Sequence, residues 1–283
     1  MPQSCSRRRC SRASPASTAT TTSNSAMRIV VYRAVILALI LACWQGASLV
    51  FGAHWIPAPA AVMRAFWLQA ASGELWYHAR YTLAAAVIGF LIGGLPGALL
   101  PFLIRRLATL RAILDPYLIA GYGAPKVALT PLFILWFGIG LESKVALVAS
   151  VVFFLVFFIT LAGLDSVDQK LIAAARVFGA GPGLIAREIV WPSAIPYVLT
   201  GLRVAAPYAI GTAVVGELIS SNRGLGYSIQ AAATNFEPAK LFVGVVALAL
   251  IVLVLNAVLD LLEKRLLSWR PTGGIAERAQ TSF

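Results

Sequence analysis

Three ionisable side chains, Lys126, Arg203 and Glu217, stand within or at the edge of long apolar stretches. A charge at membrane depth is costly and marks either a pathway or a local partner. Lys126 either lines a pathway or snorkels to an interface and pairs locally. Arg203 either meets an anionic solute or caps carbonyls or pairs with a partner subunit, and Glu217 either lines the pathway or is simply exposed near a membrane surface. The three are too sparse to build an intramembrane active site. The second chemical feature is the segment Leu171 to Pro192, which joins an Ala-rich turn of helix, a Gly-Ala-Gly-Pro-Gly break at Gly179 to Gly183, and a short amphipathic turn ending in Trp191-Pro192. That pattern describes two small helices joined by a bend, an element suited to docking on a partner.

The usual catalytic arrangements are missing from the sequence. None of the five lysines follows a glycine, so no phosphate-cradling Gly-x-x-x-x-Gly-Lys-Ser/Thr loop exists and the chain does not hydrolyse ATP by that route. His54 and His78 flank a loop without zinc-ligand spacing and read as surface residues. No Gly-x-Ser-x-Gly elbow occurs. Cys5, Cys10 and Cys43 form neither a metal-ligand set nor an even disulfide set.

These residues must be positioned by membrane-spanning helices. Of 283 residues, 59% are hydrophobic and 12% charged, against about 25% charged in soluble proteins. Six stretches have the roughly 20 apolar residues a span requires: Ile29 to Phe51, Tyr81 to Ile104, Ile113 to Phe137, Val145 to Leu164, Ala194 to Leu218 and Leu241 to Leu262. Their runs do not alternate, which excludes a β-barrel reading. The fold class is therefore an all-α membrane protein, a polytopic bundle of about six transmembrane helices. Residues 1–28 read as a disordered basic tail, rich in Ser, Thr, Arg and Ala, with Met27 as a possible true start. Residues 29–264 form the transmembrane domain, and 265–283 a second tail.

The net charge of +12 follows membrane topology, which argues against nucleic acid as its cause. With a cytoplasmic N-terminus, sixteen basic residues, among them Arg105, Arg106, Arg111, Lys170, Arg176 and Arg187, fall on the cytoplasmic side. Only Arg64, Arg80, Lys144, Arg223 and Lys240 fall opposite, so the positive-inside rule puts both termini and the 171–192 segment in the cytoplasm. Within the spans, Gly89, Gly93 and Gly97 recur at intervals of four, a spacing for close helix packing. Asp115-Pro116 is expected to cap the third span, whose helix is then interrupted by Gly121, Gly123, Pro125 and Pro131. Ser221 to Tyr227 reads as a turn permitted by its two glycines.

The segment from Ala173 to Pro192 resembles the "Glu-Ala-Ala, three residues, Gly, then Leu-Pro" signature of the permease subunits of bacterial ATP-binding-cassette importers. Ala174 and Ala175 hold the alanine positions, Arg176 follows them, Gly179 is the glycine and Pro192 the closing proline. Ala173 stands where the signature has glutamate, and Trp191 where it has leucine. The stretches Gly73 to His78, Pro125 to Gly140 with Ser143-Lys144, and Gly201 through Arg203 and Glu217 to Gly226 resemble the branch importing nitrate, sulfonates such as taurine, and pyrimidine precursors. The resemblance implies a coupling helix between spans four and five, with Ala173, Ala174, Ala175, Arg176, Gly179, Arg187 and Pro192 meeting a cytoplasmic ATPase. Arg176 and Arg187 either face acidic surface on that ATPase or are solvated. It further implies a permease homodimer around a central pathway in the bacterial inner membrane and a solute-binding protein outside; Lys126, Arg203 and Glu217 are the candidates for that pathway. The chain itself would be no enzyme and bind no cofactor, ATP and magnesium residing on the ATPase. An ion-coupled secondary transporter or channel is the alternative.

Overall fold

The computed structural model describes residues 19–266. Residues 1–18 and 267–283, which hold most of the two expected tails, lie outside the described residues, while residues 19–28 form the start of the first helix. The chain divides into two units after Ala60. The first carries α1 (Ala19–Phe51), an apolar helix with nearly every described side chain exposed, as a lipid-facing span requires. It stops at Gly52, whose φ of +83° is costly for any residue with a Cβ, and Trp44 Nε1 donates to the Pro57 carbonyl at 3.1 Å.

The second unit begins within α2 (Pro59–Ser72) and continues through α3 (Glu74–Arg106), α4 (Ala108–Gly123), a 3₁₀ turn (Lys126–Leu129), α5 (Thr130–Phe137) and α6 (Leu141–Asp165). There follow α7 (Gln169–Val177), the single turn α8 (Pro182–Ile185), a π turn (Ala186–Val190), α9 (Trp191–Ile219), α10 (Leu225–Thr234) and α11 (Pro238–Leu266). No strand occurs among the described residues. Among the described residues, five helices are long and apolar enough to span, and the expected third span is the pair Thr109–Gly123 and Lys126–Phe137, bent by 85° at its break. The interruption anticipated from its glycines and prolines is present, but its start is not where Asp115 suggested. The helix begins at Ala108, so Asp115 lies inside it and caps nothing. Asp115 instead lies 3.8 Å from Arg111, one turn earlier. Arg111 also forks onto Asp165, Nη1 to Oδ1 at 2.8 Å and Nη2 to Oδ2 at 2.7 Å, which ties α4 to the end of α6.

The core is a three-helix stack of α3, α6 and α9. Gly89, Gly93 and Gly97 all turn toward α6 of the same chain. A Cβ built on Gly93 would lie 2.2 Å from the Ala149 carbonyl oxygen, and one on Gly97 2.8 Å from that of Phe153. Backbone therefore meets backbone. Beside this seam, Ala85, Ala86, Val148, Val152, Val156, Ala205 and Ala209 are buried together, side chains short enough to keep three axes close.

One end of the bundle is closed by α10. A ten-residue helix leaves its first N–H groups without intrahelical partners, and Gly224 has no side chain to cap them. Other helices supply the acceptors. The Leu225 N–H donates to Thr82 Oγ1 at 2.8 Å, the Gly226 N–H to Glu217 Oε2 at 2.9 Å, and the Gly224 N–H to His78 Nδ1 at 3.2 Å, while Thr82 Oγ1 donates to Glu217 Oε2 at 2.9 Å. Glu217 is 3% exposed, so simple exposure does not account for it. The segment expected as a mere turn, Ser221 to Tyr227, ends in the first three residues of α10, and its glycines do more than bend. Gly224 has φ +108°, and a Cβ there would meet the Glu217 carboxyl carbon at 2.2 Å. Nor is His78 a simple surface residue. Nearby, Lys144 is 3% exposed and donates through Nζ to the carbonyls of Ile139 (2.7 Å) and Ser220, joining the α5–α6 corner to the end of α9.

Two pairs of variants separate these contributions to stability. Gly93→Ala gains about 1 kcal/mol of helix propensity but forces a Cβ into a carbonyl, so it lowers the thermal midpoint in detergent, with a net loss of about 1–2 kcal/mol. Gly94→Ala meets the flexible end of Leu202 at 3.3 Å and, at ordinary contact distance, Val152 Cγ1 at 3.7 Å, and leaves the midpoint within about 0.5 kcal/mol. Glu217→Ala strips the Gly226 N–H and Thr82 hydroxyl of their acceptor and costs about 2–3 kcal/mol, whereas Glu217→Gln keeps a carbonyl acceptor and costs less. Hydrogen exchange over residues 224–230 reads this directly, with faster exchange expected in the alanine variant and little change in the glutamine variant.

Candidate functional site

At the opposite end from α10, the chain leaves α6 and builds the predicted docking element. Asp168 caps α7, its Oδ1 accepting from the Lys170 N–H at 2.8 Å. The helix stops at Gly179, φ +83°. There the Ala180 N–H donates to the Ala175 carbonyl at 2.9 Å and the Gly179 N–H to that of Arg176 at 3.0 Å. This is the paired C-terminal closure that a glycine in the left-handed region permits. The spacing of alanines and glycine in the sequence thus corresponds to a capped helix with a fixed exit.

One face of α7 is held and the other is free. Ile172 is buried with Val167 and Ile185, and Ala175, Ala180, Ile189 and Val190 pack around them. Ala173, Ala174 and Arg176 are exposed, and beside Gly179 stand Val177 at 85% and Phe178 at 90% exposure. Large apolar side chains presented this fully on a rigid turn suit burial against a partner. The position of Ala173 adds no carboxyl to this surface. Arg187 is also exposed, with Glu188 Oε1 3.4 Å from its Nε.

The second half of the segment differs from two separate small helices. From Pro182 the backbone stays helical through the π turn into α9, so that α8, the π turn and α9 form one run of 38 residues. Pro192 follows the π turn inside this run, where its missing N–H interrupts the backbone ladder. Trp191 stacks on Phe102 of α3, ring centroids 4.2 Å apart at 14°. The bulky residue in the leucine position of the signature therefore has a partner of its own.

The three candidate pathway residues have separate surroundings. Lys126 lies at the 85° break, donates to the Tyr122 carbonyl and sits 4.7 Å from the ring centre of Phe154. Arg203 pairs with Asp260 of α11 in its own chain. Glu217 belongs to the α10 clamp, where it also lines a cavity of about 330 Å³ with Lys144, Tyr81, Glu142 and Arg223. No hydrogen bond or ion pair joins any two of Lys126, Arg203 and Glu217 among the described residues. Reasoning from sequence missed Asp260, although a lone arginine in an apolar span demands a carboxyl and few are available. It also missed Thr82 and His78, whose roles depend on helices far apart in the chain and leave no local signal.

Residues 85–268 match the family described as binding-protein-dependent transport system inner membrane component. The chain is 36% identical to the riboflavin transport system permease protein RibX of Chloroflexus aurantiacus, over 83% of this chain and 88% of that one. It is 35% identical to the putative aliphatic sulfonates transport permease protein SsuC of Bacillus subtilis, over 82% and 85%. With the taurine transport system permease protein TauC of Escherichia coli, identity is 33% over 69% and 71%. The capped helix between two spans and the extent of these matches lead to one conclusion: the chain is a multi-pass membrane protein belonging to the binding-protein-dependent transport system inner membrane component family, the permeases of ATP-binding-cassette transporters.

Proposed function

We propose that this permease moves a small anionic or zwitterionic solute inward across the bacterial inner membrane, driven by a separate cytoplasmic ATPase that docks on α7. The observation that carries the proposal is the exposed face of α7, with Val177 and Phe178 held rigid by the Gly179 closure and by the buried Val167, Ile172 and Ile185 behind it. A partner pressing on that face pushes on the start of α9 through Ile185 and Ile189, so motion of the ATPase becomes tilting of a core helix. Ala173, Ala174, Ala175, Arg176, Gly179, Arg187 and Pro192 form or support the docking element. Without a carboxyl at position 173, docking rests on apolar burial centred on Phe178, with the two arginines as its charged surroundings. ATP and magnesium act on the ATPase, and a second copy of the permease completes the pathway. Both termini and α7 face the cytoplasm, as the distribution of Arg and Lys favours.

For the solute, the sulfonate and taurine permeases among the relatives support an anion or zwitterion of the sulfonate, taurine, nitrate or pyrimidine-precursor class, delivered by a soluble binding protein. One relative is named for riboflavin, so related permeases serve chemically different solutes. Lys126 supplies positive charge along the pathway, Arg203 stands there as an ion pair with Asp260, and Glu217 holds the α10 end that the delivering protein would meet. The family gives an ion-coupled carrier or channel no support.

The test is reconstitution of the permease with its ATPase and binding protein. Phe178→Ala is expected to lower uptake by tenfold or more and to weaken co-purification of the ATPase, with membrane insertion unchanged. Gly179→Val, which places a branched side chain at φ +83°, is expected to leave ATP hydrolysis uncoupled from uptake. Normal uptake by both variants would contradict the docking role. Replacing Lys126 and Arg203 together by glutamine is expected to lower taurine or alkanesulfonate uptake by tenfold or more at equal membrane yield. Unchanged uptake of every anion tried would remove these residues from the pathway.

A further inference from the structure

Next to α7 lies a cavity of about 1080 Å³ that neither docking nor the solute pathway explains. Its walls are largely apolar, including Leu99, Leu103 and the stacked Phe102 and Trp191, yet Arg105, Arg106 and Arg176 also line it. Nη1 of Arg105 is shut off from solvent without a hydrogen-bond partner, so it is the rest of that side chain that faces the cavity. Asp165, close enough to act on Arg105 electrostatically, is already gripped on both oxygens by Arg111. The site therefore has donors to spare.

From the cavity a stripe of exposed leucines, Leu103, Leu99, Leu95 and Leu91, runs along α3 at four-residue spacing. Twelve residues at 1.5 Å each cover about 18 Å, a little more than one leaflet of a hydrocarbon core about 30 Å thick. Arginines at a helix end, an aromatic pair beside them and an apolar track leading inward match the parts of an anionic lipid in order: phosphate, interface and acyl chain. A soluble anion would use the arginines but leave the track empty. We propose that this cavity binds the headgroup phosphate of an anionic phospholipid, with one acyl chain laid along Leu103 to Leu91. Because Arg176 belongs to α7 and Arg105 and Arg106 to α3, the bound phosphate bridges the two helices and braces α7.

Native mass spectrometry of the full chain tests this, with titration by phosphatidylglycerol, phosphatidylcholine and inorganic phosphate separately. One phosphatidylglycerol is expected to be retained per chain in preference to phosphatidylcholine, and to stay bound in millimolar inorganic phosphate. Arg105→Gln with Arg106→Gln is expected to weaken that binding about 30-fold, the effect of two basic contacts. Should that variant not fold, Gly183→Phe keeps every arginine and fills the cavity from a position where an added Cβ meets nothing within 4 Å. The same loss is expected. Equal retention of both lipids, full displacement by inorganic phosphate, or undiminished phosphatidylglycerol binding in a folded variant would each overturn the proposal.

Discussion

The approach of α3 to α6 at Gly89, Gly93 and Gly97 is the contact from which the rest of the second unit takes its position. In lipid no hydrophobic force drives one apolar helix onto another, so association depends on packing close enough to add dispersion contacts. At Gly93 that closeness brings helix backbone against helix backbone, with the Ala149 carbonyl where a side chain would otherwise begin. The alanines and valines of the shared core let α9 join on the same terms. With three axes fixed, the residues at either end of the bundle acquire definite neighbours.

Each end then solves the same problem, that of helix termini with unpaired backbone groups. At one end, α10 begins without a cap of its own and takes acceptors from Thr82, His78 and Glu217 on α3 and α9. Lys144 does the converse, donating to carbonyls at Ile139 and Ser220. At the other end, α7 closes itself locally through Asp168 and Gly179 and depends on its neighbours only for apolar burial. The two ends differ in construction: the α10 end is locked by hydrogen bonds between helices, while the α7 end is a self-contained piece seated on a small cluster.

Features set by local periodicity were legible in the sequence. The spans came from runs of about 20 apolar residues, the break in the third from Gly121, Gly123 and Pro125, and the shape of α7 from alanines followed by Gly179. Features set by tertiary neighbours were not. Asp115 before Pro116 has the local form of a cap, but the helix had already started at Ala108 and Arg111 offered a better use for the carboxyl. Glu217 near the end of a span looks solvent-exposed until α10, eight residues on, folds back over it. The partner of Arg203 is 57 residues away at Asp260, a distance over which spacing carries no information.

If α7 is where force from an ATPase enters, the side chain beside its closing glycine must be covered when the complex assembles. The direct measurement is the labelling rate of Phe178→Cys, in a chain with Cys5, Cys10 and Cys43 replaced, by a membrane-impermeant maleimide in inside-out vesicles. The account predicts rapid labelling of the permease alone and protection of tenfold or more once the ATPase subunit is bound. Equal labelling in an assembled complex that still hydrolyses ATP and transports would contradict it.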